Sequence, residues 1–196
     1  MAASKRDILI DTAMRLFCRE GFHATGIDRI LAESGVAKMT LYNHFRSKDE
    51  LILAALRRRD EMVRNRIMRE VEAASEDPVR RILAHCDVLE RLIAEQDGHG
   101  CMFINAAAEY AGKNEAIHRA ASEHKRMRID YLATLARQAG AEAPETLARE
   151  ISLVLEGAVV MAHVCDDCRA MESARAGVRA LLKAHGIVQP VAPAIS

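Results

Sequence analysis

Residues Thr25–Leu51, TGIDRILAESGVAKMTLYNHFRSKDEL, narrow the possible folds more than any other stretch of the chain. They predict two short helices joined by a tight turn. The first covers about Gly26–Ser34, capped by Thr25 or Gly26, with Ile27, Ile30 and Leu31 on one apolar stripe. Gly35 follows at once, and a glycine just past the last periodic residue tolerates the left-handed backbone that ends a helix and turns the chain sharply. The second helix starts near Ala37. Val36, Leu41 and Phe45 are placed to dock it on the first, which leaves Lys38, Thr40, Tyr42, Asn43 and His44 on exposed faces. An ammonium, two hydroxyls, an amide and an imidazole suit phosphate oxygens and base edges. Ser47 is the expected N-cap of a further helix with Asp49 and Glu50 in its first turn, and Lys48 sits beside that positive helix end.

The run GVAKMTLYNHFRSKDEL, preceded by AMRLFCREGF and TGIDRILAESG, resembles the DNA-binding domain of TetR-family transcriptional regulators over roughly Lys5–Leu56. The resemblance implies an all-α fold of about nine helices. An N-terminal three-helix helix-turn-helix DNA-binding domain is followed by a helical ligand-binding and dimerisation domain. In the family the third helix enters the major groove, and the lysine that opens the fourth contacts the DNA backbone. Carried over position by position, this puts Thr25, Lys38, Thr40, Tyr42, His44 and Lys48 mainly on phosphates, with Met39 and Asn43 nearer the bases. Many family members have a small residue at the place of Met39 and an aromatic at that of Asn43, so the operator does not follow from the resemblance.

Charge agrees with a two-part chain. The formal net charge is zero, yet residues 1–70 hold 14 Lys/Arg against 10 Asp/Glu, and residues 71–196 hold 14 against 18. A modestly positive end on a neutral chain fits a nucleic-acid footprint confined to one face. The expected boundaries are 1–50 for the DNA-binding domain, 51–186 for the effector-binding and dimerisation domain, and 187–196 for a disordered tail. No targeting or membrane segment is expected: charges interrupt the N-terminus, and the weakly polar run Leu153–Val164 is too short to span a bilayer and contains Glu156 and His163. Five cysteines without a secretory context point to reduced thiols and a cytoplasmic location.

The remaining chain reads as successive helices: about Lys5–Glu20 before the helix-turn-helix, then Lys48–Ala74, Pro78–Glu95, Met102–Ala111, Glu115–Ala139, Pro144–Val164 and Met171–Ala184. The segment Leu153–Val164 is apolar nearly all round, which a helix covered on one side cannot be. One side is expected to pack on its own body and the other on a second copy of the chain. Ile151, Val154, Leu155, Ala158, Val178, Leu181 and Leu182 are the candidate interface of a homodimer, paired as a four-helix arrangement as in relatives of the family.

For an effector, GCMFINAAAEYAG sets Cys101, Asn105 and Glu109 at i, i+4 and i+8 along one face of an otherwise apolar helix. Cys86, Tyr110, Met127, Tyr131 and His163 are the candidates to share that small-molecule site, since buried polar groups are bonded, paired or left for a ligand. The GCxFxN pattern is similar to a subgroup of TetR-like regulators whose cysteine senses electrophiles or oxidants, which makes Cys101 an alternative sensor. Cys165-Asp-Asp-Cys168 admits inert loop thiols, a reversible disulfide, or, with His163, a fragment of a metal site. The favoured function is a dimeric repressor released from a palindromic double-stranded operator when an effector binds. A thiol redox enzyme or metalloprotein is the alternative of another class. No serine-histidine-acid arrangement or glycine-rich phosphate loop supports any other enzyme, and no cofactor or metal is expected.

Overall fold

A computed structural model describes residues 3–95 and 99–187. These residues form nine α-helices: α1 Lys5–Glu20, α2 Ile27–Ser34, α3 Lys38–His44, α4 Lys48–Ala74, α5 Pro78–Ala94, α6 Met102–Glu109, α7 Ala116–Gln138, α8 Pro144–Val164 and α9 Ala170–Ala184. The all-helical expectation holds, with ends within about two residues of those read from the sequence. The expected disordered tail lies outside the described residues except for Ile187, which is buried and donates its N–H to the Leu182 carbonyl at 2.9 Å.

The described residues form two compact units, residues 3–63 with 99–125 and residues 64–95 with 126–187. In the first, α1 is capped by the Ser4 hydroxyl, which accepts from the Asp7 N–H at 3.1 Å, and it buries Leu9, Ala13, Leu16 and Phe17. Gly21 ends α1 at φ 86°, and Gly35 ends α2 at φ 64°, so both turns use backbone conformations that side chains with a Cβ disfavour. Val36, Leu41 and Phe45 are buried as expected, together with Ile30 of α2 and Leu51, Ile52 and Leu56 of α4. The same core takes in Met102, Phe103 and Ala106 of α6 and Ile117 and Ala121 of α7. Arg58 on α4 ties to Asp7 and Asp11 of α1.

In the second unit, Asp77 caps α5 by accepting from the Val79 N–H at 2.9 Å, with Pro78 at the first helical position. α8 and α9 pack along each other. The close approach is at Gly177, where an added Cβ would stand 3.3 Å from Val154. Arg175 of α9 reaches Asp87 and Glu90 of α5, and His185 lies 2.8 Å from Glu150 of α8. Arg128 of α7 is ion-paired with Glu156 of α8. Among the described residues no helix is long and apolar enough to cross a membrane.

Candidate functional site

The turn at Gly35 and the buried trio Val36, Leu41 and Phe45 fix which way α3 faces. Seven residues make barely two turns, so with Leu41 fully buried nearly every other side chain faces outward. Lys38, Met39, Tyr42, Asn43 and His44 are exposed and Thr40 is half-buried. Met39 is 73% exposed and Tyr42 48%, an unusual display of large side chains for so short a helix. Met39 and Asn43 stand four residues apart and therefore share one face. Lys38 Nζ lies 3.5 Å from Asp28, an exposed pair of the kind that contributes little to stability and leaves the ammonium able to exchange partners.

Lys48 opens α4, and its Nζ donates to the His23 carbonyl at 3.3 Å, which sets the ammonium between the α1–α2 turn and the start of α4. Ser47 and Glu50 cap that end: the Glu50 N–H donates to the Ser47 hydroxyl at 3.2 Å, and the Glu50 carboxylate accepts from the Arg46 N–H at 2.7 Å. Thr25, expected on a phosphate, has its hydroxyl turned inward. It is completely buried, and its hydroxyl donates to the Gly21 carbonyl at 2.7 Å, so that oxygen closes the α1–α2 turn from inside. Sequence reasoning passed over Arg6, whose guanidinium sits 5.4 Å from the centre of the Phe45 ring and places a cation beside the end of α3.

The residues proposed for an effector separate between the two units. Cys101, Asn105, Glu109 and Tyr110 belong to the first; Cys86, Met127, Tyr131 and His163 belong to the second. The row of polar groups on α6 is engaged within its own unit. Lys125 Nζ lies 3.4 Å from the Cys101 sulfur, and Asn105 Nδ2 donates to the His99 carbonyl at 3.3 Å. The Glu109 carboxylate accepts from the backbone N–H groups of Phe22 and His23 at 2.8 and 2.6 Å and lies 2.8 Å from His23 Nδ1. Burial acts to raise the Glu109 carboxyl, but these donors outweigh it and hold the group below the usual carboxylate range. Tyr110 stacks on His23 and meets Phe22 edge-on. Glu109 and Tyr110 thus tie α6 to the α1–α2 turn. α6 ends at Glu109, two residues early, because Tyr110 leaves helical geometry to make those ring contacts.

In the second unit, Cys86 is buried and desolvation pushes its thiol up to about 11, which disfavours the thiolate. Met127 and Tyr131 are half-buried, and His163 is exposed near the end of α8. Of the expected interface residues, Ile151, Leu155, Val178 and Leu182 are completely buried within a single chain, Ala158 nearly so, and Val154 and Leu181 are half-buried. They take part in the chain's own α8–α9 packing, with Val154 and Leu181 keeping part of their surface open. The outward stripe of α8 is Leu153, Val160, Met161 and Val164, with Leu153 73% and Val164 70% exposed. Cys165 and Cys168 are exposed in the α8–α9 link, where Asp166 takes the left-handed conformation at φ 49°. Among the described residues no group of three or more His, Cys, Asp or Glu is placed to hold a metal ion.

A buried turn that presents a polar second helix, followed by a capped helix opening on a lysine, defines a helix-turn-helix DNA-binding module carried by a helical chain. Known proteins agree. Residues 9–55 match the family described as bacterial regulatory proteins, tetR family, and residues 78–178 match the tetracyclin repressor-like C-terminal domain. The HTH-type transcriptional regulator LmrA of Bacillus subtilis is 30% identical over 162 residues, covering 80% of this chain and 85% of that protein. A crystal structure of a TetR-family transcriptional regulator from Streptomyces coelicolor superposes with TM-score 0.87 at 32% identity, over 92% of this chain and 95% of that one. A TetR transcriptional regulator from Chloroflexus aurantiacus gives TM-score 0.80 at 26% identity, over 91% and 94%. The chain belongs to the TetR family and is a DNA-binding transcriptional regulator.

Proposed function

We propose that the protein acts in the cytoplasm as a homodimeric repressor that holds an inverted-repeat operator until a small molecule binds its helical body. The observation that carries this reading is the outward face of α3, where Lys38, Thr40, Tyr42 and His44 offer phosphate donors around the base-facing pair Met39 and Asn43. A methionine 73% exposed has an apolar surface suited to a thymine methyl, and an asparagine can bond bidentately to adenine. The exposed stripe Leu153, Val160, Met161 and Val164 supplies the face for a second copy. Two heads on one dimer read two half-sites, which doubles the base contacts and fixes their spacing. On this reading the effector acts through α4, the helix that Lys48 opens. An effector releases DNA only to the extent that it prefers the released conformation, about 1.4 kcal/mol for each tenfold preference.

Selection of bound fragments from the source genome tests this reading. Enrichment of an inverted repeat, followed by release with compounds acted on by products of adjacent genes, supports it; a flat spectrum of fragments opposes it.

A second reading has its own observation. Lys125 Nζ lies 3.4 Å from the Cys101 sulfur, and a cation beside a sulfur favours the thiolate, the form that reacts with electrophiles and oxidants. On this reading Cys101 modification releases DNA, and Cys101→Ser abolishes the response. Full wild-type release from the serine variant removes it.

A further inference from the structure

Both ring nitrogens of His85 on α5 and the hydroxyl of Tyr131 on α7, buried in the second unit, have no hydrogen-bond partner among the described residues. His85 is completely buried, and its ring centre lies 6.2 Å from that of Tyr131, with the planes tilted by 35°. Buried polar atoms in folded proteins are nearly all paired, because an unpaired one bears its desolvation cost uncompensated. Three of them on neighbouring rings of two helices mark a place where the partners come from outside the chain.

The surroundings define what fits. On each helix the same face continues apolar, through Ile82 and Leu89 around His85 and Met127 and Leu135 around Tyr131. Desolvation, and after it the nearby Arg128 charge, push His85 down to about 3, so the imidazole is neutral and offers one N–H and one lone pair. The Tyr131 phenol is likewise kept in its neutral form, by burial first and then by the Glu72 carboxylate. Arg128 itself is ion-paired with Glu156. An anion entering here competes with Glu156 for that guanidinium, and a cation is repelled by it. A neutral molecule meets neither obstacle.

We propose that His85 and Tyr131 form the polar end of an effector site that takes an uncharged ring compound bearing a hydroxyl or carbonyl, whose donor and acceptor atoms complete the bonding of the imidazole and the phenol. The assignment rests on the reading of the chain as an effector-released regulator, and it gives that effector a chemical class. It also places the site on α5 and α7, with Glu72 of α4 acting on the Tyr131 hydroxyl. Occupation of the site therefore bears on the Glu72 end of α4.

The test uses the full chain as wild type, His85→Leu and Tyr131→Phe, with 4-hydroxyacetophenone as the neutral probe, 4-hydroxybenzoate as its anionic counterpart and ethylbenzene as its apolar one. Melting is followed by scanning calorimetry and binding by titration calorimetry. Without probe, both variants are expected to melt at or above the wild-type temperature, because they remove unpaired polar atoms while filling similar volume. The neutral probe is expected to bind the wild type at least tenfold more tightly than the other two compounds, and to lose at least tenfold in each variant. No binding of the neutral probe to the wild type, tighter binding of 4-hydroxybenzoate, or equal binding in all three proteins overturns the proposal. So does a marked fall in melting temperature in both variants, which would make the two rings ordinary core groups bonded to internal water. Wild-type binding to the selected genomic fragments is measured in the same preparations. Its absence counts against the regulator reading and leaves the site judged by the calorimetry alone.

Discussion

Glu109→Ala is the most informative single perturbation of the first unit, because one carboxylate there holds the turn on which Lys48 rests. In the folded protein that carboxylate accepts from two backbone N–H groups, those of Phe22 and His23, at 2.8 and 2.6 Å. A hydrogen bond to a charged group is worth about 1.5–3 kcal/mol net. The His23 N–H is exposed and finds water after truncation, whereas the Phe22 N–H is partly buried beneath an aromatic contact and does not. The expected loss is therefore one such bond, about 2 kcal/mol, which for a chain of this length lowers the melting temperature by about 4–8 °C. Glu61→Ala, on an exposed position of α4, serves as the control and is expected to stay within about 0.5 kcal/mol. Scanning calorimetry of both variants decides the matter. A Glu109→Ala protein that melts within about 1 °C of the wild type, on the same scale, would refute the view that this carboxylate anchors the α1–α2 turn. Operator affinity is expected to fall as well, since the loosened turn carries the His23 carbonyl that positions Lys48.

Three further outcomes follow from the same geometry. Lys48→Ala is expected to weaken operator binding without changing which sequence is preferred, and to make the slope of log K against log salt shallower by about 1; an unchanged slope removes the phosphate assignment. Leu153→Glu places a charge on the most exposed apolar residue of α8 and is expected to give monomers by sedimentation with at least tenfold weaker operator binding; an intact dimer would move the interface elsewhere. The two displaced titrations both cost stability as pH falls, in separable pH windows. His85 binds its proton less readily when folded, so the unfolded chain takes up more protons and stability declines as pH falls from about 6.5 toward about 3. Glu109 is also held low, so its contribution is present above the unfolded value of 4.5 and is lost as pH falls through the folded one. Urea titrations of wild type and His85→Leu should diverge between about pH 6.5 and 4.5, before the carboxylate contributes; superimposed pH profiles would contradict the burial of a neutral imidazole.

The helix-turn-helix was legible because its constraints are local. Gly35 ends α2 in the left-handed region, and the burial of Val36, Leu41 and Phe45 follows from spacing alone. The inward bond of Thr25 is not legible in the sequence, because a hydroxyl ahead of a helix looks the same whether it faces a phosphate or the carbonyl four residues back. Glu109 finds its partners 87 and 86 residues away, a separation that no periodicity reports. α8 was correctly read as apolar on opposite sides, but periodicity does not say which side meets its own chain. The packing of α9 chose Ile151 and Leu155 as the inner stripe and left Leu153, Val160, Met161 and Val164 outside. His85 was missed for a related reason. A histidine among Ile82, Val88 and Leu89 reads as part of the core until the structure shows that its nitrogens lack partners there.

The central claim is that two copies of α3 read the two halves of one inverted repeat. Sedimentation of the full chain with an enriched duplex at low salt, in the absence of effector, measures this directly. The account requires an even number of chains per duplex, halved occupancy when one half-site is scrambled, and weaker binding when half-site spacing changes by half a helical turn. A single chain bound per duplex, indifferent to scrambling and spacing, would contradict it.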